Sequence, residues 1–83
     1  MYRIIWDEKA LGELGSLEKH IAGRIIKKVK ELSDNLFSKD IKRLKGSDDF
    51  RLRVGDYRII FSIESDTITI LKVGHRKNIY DSK

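Results

Sequence analysis

Twelve residues constrain this chain more than any others: Phe50-Arg51-Leu52-Arg53-Val54-Gly55-Asp56-Tyr57-Arg58-Ile59-Ile60-Phe61. Apolar and charged residues alternate up to Gly55-Asp56, and an apolar run comes after it. A glycine-led pair between two such runs is a two-residue hairpin signal, because the favoured hairpin turns need the positive φ that glycine tolerates. A two-residue turn sets the register: Val54 faces Tyr57, Arg53 faces Arg58, Leu52 faces Ile59, Arg51 faces Ile60 and Phe50 faces Phe61. Successive strand side chains point to opposite faces. One face therefore carries Phe50, Leu52, Val54, Tyr57, Ile59 and Phe61 and belongs to a core. The other carries Arg51, Arg53, Arg58 and Ile60. Outward charge keeps a half-exposed sheet soluble, but Arg53 directly opposite Arg58 repels it, weakening the hairpin by some tenths of a kcal/mol. An anion above the pair would relieve that repulsion, so this face is a candidate phosphate site.

The rest of the chain supplies a partner for the apolar face. Tyr2 to Trp6 reads as a short strand. Asp7 is a candidate N-cap for a first helix from about Asp7 to Gly15, with Ala10, Leu11, Leu14 and Leu17 at helical spacing. Gly15-Ser16 breaks it, and Ser16 is placed to cap the next helix. Leu17, Ile21, Ile25, Val29, Leu32 and Leu36, widened by Ala22 and Ile26, form one apolar stripe over roughly five turns of that second helix. Its Lys19, Arg24, Lys27, Lys28 and Lys30 read as a solvated face. Lys39 to Gly46 is a basic connector containing Lys42, Arg43 and Lys45, opposed by Asp40. A third meander strand runs from Thr67 to Val73 and leads into a tail, Gly74-His75-Arg76-Lys77-Asn78-Ile79-Tyr80. The expected order is β-α-α-β-β-β. That is an α+β fold, a helix hairpin packed on one face of a mostly antiparallel sheet.

Length and composition bound the function. The 83 residues make a single domain, residues 1–83, near the lower end of what folds without staples. With no cysteine there is neither a disulfide nor a thiolate metal site. No run is apolar and long enough for a membrane span or signal peptide, so the expected compartment is the cytoplasm. A net charge of +5 favours a polyanionic partner. If the helices cover the apolar face, Arg51, Arg53 and Arg58 lie on the uncovered one. Arg76 then sits just past the third meander strand and Lys45 just before the first. Tyr80, four residues after Arg76, would be a stacking platform for an unpaired base. The pattern suits single-stranded RNA, with Arg43, Lys45, His75 and Lys77 as further candidate RNA-holding groups. His75, otherwise an ordinary surface histidine, is the one side chain near the cluster with a natural pKa near 7.

Three segments together carry a family likeness: Arg43-Leu44-Lys45-Gly46, the hairpin from Phe50 to Phe61, and Val73-Gly74-His75-Arg76 with Ile79-Tyr80. The chain resembles the RelE/ParE superfamily of toxins from toxin–antitoxin systems, and within it the RelE-like messenger-RNA interferases. The resemblance implies a metal-independent, ribosome-dependent endoribonuclease without a cofactor. Such an enzyme cuts messenger RNA in the A site by attack of a ribose 2′-hydroxyl on the adjacent phosphate. It also implies neutralisation by a RelB-like antitoxin. Carried over by motif, Arg58 and Arg76 match arginines at the scissile phosphate, Tyr80 a tyrosine that stacks or assists proton transfer, and Lys45 a residue that holds RNA. Arg51 and Arg53 stand where a lysine pair is expected. An arginine is a poor proton acceptor, so their role here would be electrostatic. Two other readings stay open: a ParE-like inhibitor of DNA gyrase with the same fold, and a non-catalytic RNA-binding module.

Overall fold

The computed structural model describes residues 1–36 and 38–79. The elements are β1 (Arg3–Trp6), α1 (Glu8–Gly15), α2 (Lys19–Leu32), β2 (Ile41–Arg43), β3 (Phe50–Val54), β4 (Tyr57–Glu64) and β5 (Thr67–His75). The five strands form one sheet in the order β1-β5-β4-β3-β2. Only β1 and β5 pair in parallel; the other ladders are antiparallel. The α+β reading therefore holds, with one addition. The basic connector contains a short edge strand, β2, hidden from sequence by its three-residue length and two exposed basic residues.

Both helices lie on one face. Ala10 and Leu14 of α1 and Ile25, Val29 and Leu32 of α2 form a single buried cluster with Leu52, Val54, Ile59, Phe61, Ile68, Ile70 and Val73. The predicted second helix is shorter at both ends: Leu17 and Leu36 lie outside α2 but still pack against the core. Leu11 and Ile26, placed on the apolar stripes by spacing, face solvent. The two helices are too short to hold every apolar residue of their sequences inward. The expected caps also differ. Asp7 is the N-cap of α1 but its carboxylate makes no capping bond, and Ser16 closes α1 by donating Oγ–H to the Glu13 carbonyl at 2.8 Å. Glu18 is the N-cap of α2.

The β3–β4 register is the one the turn dictates, from Phe50 opposite Phe61 to Val54 opposite Tyr57. Gly55 has a φ of +59°, which is why a glycine leads this turn. Between β4 and β5 the pairing slips: Ile60 is opposite Lys72 but Phe61 is opposite Ile70, leaving Leu71 as an extra residue. A bulge of this kind reverses the alternation downstream. Ile68 and Ile70 before it and Val73 after it thus all turn toward the helices, although their spacing is not a period of two. The same inversion sends Lys72 and Gly74 to the opposite face. Deleting Leu71 should leave Val73 on the helix side, because Ile70, Lys72 and Val73 would then pair with Phe61, Ile60 and Ile59 in unbroken alternation, and should cost no more than about 3 kcal/mol. Leu71→Ala, which keeps the bulge, should cost about 1 kcal/mol; urea titrations of the two variants check this.

Candidate nucleic-acid interface

The face away from the helices carries the arginines, as alternation requires. Arg51 lies between Lys42 of β2 and Ile60 of β4, and Ile60 in turn lies opposite Lys72. Ile60 is only 6% exposed, so this face is not bare: the stems of long basic side chains flank an apolar centre. The chain after β5 also turns back. The amide of Ile79 donates to the His75 carbonyl at 3.0 Å, and Cδ1 of Ile79 stands 2.9 Å from where a Cβ on Gly74 would be. A larger residue than glycine at 74 would push that turn away.

Arg53 and Arg58 are opposite one another, but their guanidiniums find separate acceptors. Arg53 Nη2 donates to Asp40 Oδ1 at 3.0 Å, and its amide donates to the Asp40 carbonyl at 2.9 Å. The residue before β2 thus supplies the countercharge that eases the repulsion. Arg58 Nη1 donates to the carbonyl oxygens of Gly55 and Tyr57, both at 2.9 Å. Those acceptors orient the guanidinium without neutralising it. Arg76 reaches the same turn from β5. Its amide donates to the Asp56 carbonyl at 2.8 Å, and its Nε lies 3.9 Å from Asp56 Oδ1. Both members of that ion pair are more than half exposed, which makes it worth at most about 1 kcal/mol.

Of the remaining candidates, His75 stands edge-on to Tyr57, its register partner, with ring centroids 5.4 Å apart. Its Nδ1 accepts from the Lys77 amide at 3.1 Å. Lys77 is exposed beside it. Arg43 and Lys45 do not join this group. Arg43 is opposite Phe50, at the far end of β3, about 13 Å from the turn at the usual strand rise. It is paired with Asp48 at 3.0 Å, and Lys45 lies in the same loop. Tyr80 lies outside the described residues. The predicted site is therefore a strip along β3, with Arg58, Arg76 and Lys77 at the turn, Arg51 and Arg53 beside it, and Arg43 and Lys45 at the other end; His75, opposite Tyr57, stands on the helix side of the sheet.

Two basic residues near the strip escaped the sequence reading. Lys42 shares the face of Arg51, which could be seen only once β2 was known to be a strand. Arg24 of α2 extends its guanidinium to Gly55, a contact between elements that no local pattern encodes. Arg51 Nε is buried and has no hydrogen-bond partner, a donor that costs free energy until an acceptor arrives. Among the described residues no three His, Asp or Glu side chains gather as a metal-ligand set, and no helix is long and apolar enough to cross a membrane.

A two-helix layer on a five-stranded sheet, with arginines on the opposite side, defines a small basic α+β protein. Residues 4–80 match the family described as ParE toxin of type II toxin–antitoxin system, parDE. Toxin RelE3 of Methanocaldococcus jannaschii is 40% identical over 72 residues, covering 76% of this chain and 82% of that protein. RelE in the RelB–RelE antitoxin–toxin complex from Methanococcus jannaschii superposes with a TM-score of 0.78 at 37% identity, over 93% of this chain and 95% of the other. The archaeal RelE–RelB complex from Pyrococcus horikoshii OT3 gives 0.81 at 29% identity, over 93% and 97%. The chain belongs to the RelE/ParE superfamily and is a RelE-family toxin of a type II toxin–antitoxin system.

Gly55→Ala should lose about 1–2 kcal/mol, because alanine is strained at a φ of +59° and its methyl would meet Arg24 Nη2 at 3.3 Å. Gly55→Asn, which tolerates this backbone region better, should fall between the two in a urea titration.

Proposed function

We propose that this toxin is an endoribonuclease that cuts messenger RNA on the ribosome, in the A site, and thereby halts translation. The observation that carries this reading is the convergence of Arg58 and Arg76 on the turn at residues 55 and 56, both still charged and exposed enough to meet a phosphate. A guanidinium presents parallel N–H donors that match two phosphate oxygens. In the proposed step the 2′-oxygen forms a bond to phosphorus and the bond from phosphorus to the 5′-oxygen breaks. The products are a 2′,3′-cyclic phosphate and a 5′-hydroxyl, with the proton of the 2′-hydroxyl leaving and one arriving on the 5′-oxygen.

Arg58 and Arg76 would hold the non-bridging oxygens as negative charge builds. Arg51 and Arg53 would stabilise the same charge from the neighbouring strand, the buried Nε of Arg51 gaining the acceptor it otherwise does without. With arginine too weakly acidic to act as a base, the proton falls to Tyr80, to His75 or to groups of the ribosome. Arg43, Lys45 and Lys77 would guide the flanking backbone along the strip. The relatives from Methanococcus jannaschii and Pyrococcus horikoshii were each solved with a RelB partner. We infer that a RelB-like antitoxin restrains this toxin too, an acidic amphipathic segment being the chemistry that fits a surface of net charge +5 with Leu11 and Ile26 exposed. Its place of action would be the cytoplasm, where messages are translated.

The match to a family described as ParE favours a second reading, inhibition of DNA gyrase by the same fold. Induction in a translating extract, with the ends of transcripts mapped by primer extension, separates the two. Codon-phased cuts are expected; intact messages with DNA-damage signalling in cells would instead establish the gyrase reading. Arg76→Ala should lower the cleavage rate by about 10²–10³-fold, the usual loss for one charge-stabilising donor. Its stability should change by no more than about 1 kcal/mol. A fully toxic Arg76→Ala variant would refute the arginine mechanism.

A further inference from the structure

Arg24 rises from α2, an element otherwise devoted to the core, and lays its guanidinium against the hairpin turn. Its Nη2 and Nη1 stand 3.3 and 3.8 Å from the point where a Cβ on Gly55 would be. A side chain at position 55 would crowd that approach. Arg58 Nη1 meets the carbonyl oxygen of the same residue at 2.9 Å. Two guanidiniums thus close on one residue, Arg24 from the helical layer and Arg58 from the opposite face of the sheet. Adding both contacts to the ~3 Å between the Cβ position and the carbonyl oxygen of a residue places the two nitrogens within about 9 Å of each other. A phosphate that accepts from two donors spans about 8 Å, counting two charge-assisted hydrogen bonds and the gap between its oxygens. Among the described residues the Arg24 guanidinium has no hydrogen bond and no ion pair, and the residue is exposed. An unneutralised cation is therefore held near Arg58, at a turn whose one carboxylate, Asp56, lies 3.9 Å from Arg76, an arrangement that an anion would stabilise.

Building on the phosphate-binding reading, we propose that Arg24 is a third guanidinium of that site, reaching over Gly55 to the RNA phosphate held by Arg58 and Arg76. It makes the site a clamp across the turn, with α2 as one jaw. The test is binding of a 2′-O-methylated single-stranded RNA of about ten nucleotides, which can be bound but not cut, measured by fluorescence anisotropy over a salt series. Arg24→Ala should weaken binding about five- to tenfold and lower the log–log salt slope by about 0.7. Arg24→Lys should restore the slope but only part of the affinity, since a point charge replaces a planar fork. Lys30→Ala removes the same charge six residues on, about 9 Å along the helix and on another side, and should weaken binding by less than about twofold. If Arg24→Ala binds like Lys30→Ala while Arg76→Ala is weak, Arg24 has no part in the site and the parent reading stands. If none of Arg24→Ala, Arg58→Ala and Arg76→Ala is weaker than the parent protein, both readings fall together.

Discussion

Two short helices cover one face of the sheet and leave the other to the strands' own side chains, and the rest of the molecule is shaped by that asymmetry. A chain of 83 residues has too little material to cover both faces. The buried cluster accordingly uses one side of β3, β4 and β5, closed by Ala10, Leu14, Ile25, Val29 and Leu32. Among the described residues the other side has no helical layer to exclude charge, so arginines can stand on it in numbers. Their aliphatic stems then do part of the covering, which is how Ile60 becomes buried without a helix above it.

The parts of this fold that were legible in the sequence are those governed by short-range rules. A glycine turn of two residues set the register of β3 and β4, and a stripe at helical spacing located α2. What was not legible depends on contacts between distant segments. Three residues, two of them basic and exposed, do not read as a strand, and β2 exists because Leu52, Arg51 and Phe50 offer it a partner. The bulge at Leu71 leaves no turn residue to mark it; its trace is that Ile68, Ile70 and Val73 fall out of step. For the site, the residue types and the face were readable, but the distribution was not. Arg43 and Lys45 were grouped with the other basic residues by charge, whereas the length of β3 holds them at the end away from the turn.

Charge on the strip is organised by what each guanidinium is allowed to touch. Arg53 has a carboxylate at 3.0 Å and is largely balanced by it. Arg43 is balanced likewise by Asp48, though in full solvent, where such a pair adds little. Arg58 instead has two neutral carbonyls. It is oriented as firmly as its neighbours but keeps its full charge. Within one short sheet the same side-chain type is therefore prepared for different tasks, and the difference lies in the acceptor.

One contact on the far side of the sheet has a consequence for how the molecule meets others of its kind. β1 ends its pairing at Trp6 opposite Ile70, yet β5 continues to His75. Beyond that point the strand would show unsatisfied amides along an open margin, an invitation to edge-to-edge aggregation. Glu13 Oε1 of α1 accepts from the Val73 amide at 2.8 Å and fills the position a neighbouring strand would take. A strand from another molecule arriving there must dislodge a carboxylate and the helix that bears it, so a helix whose main work is packing also closes this stretch of the β5 margin.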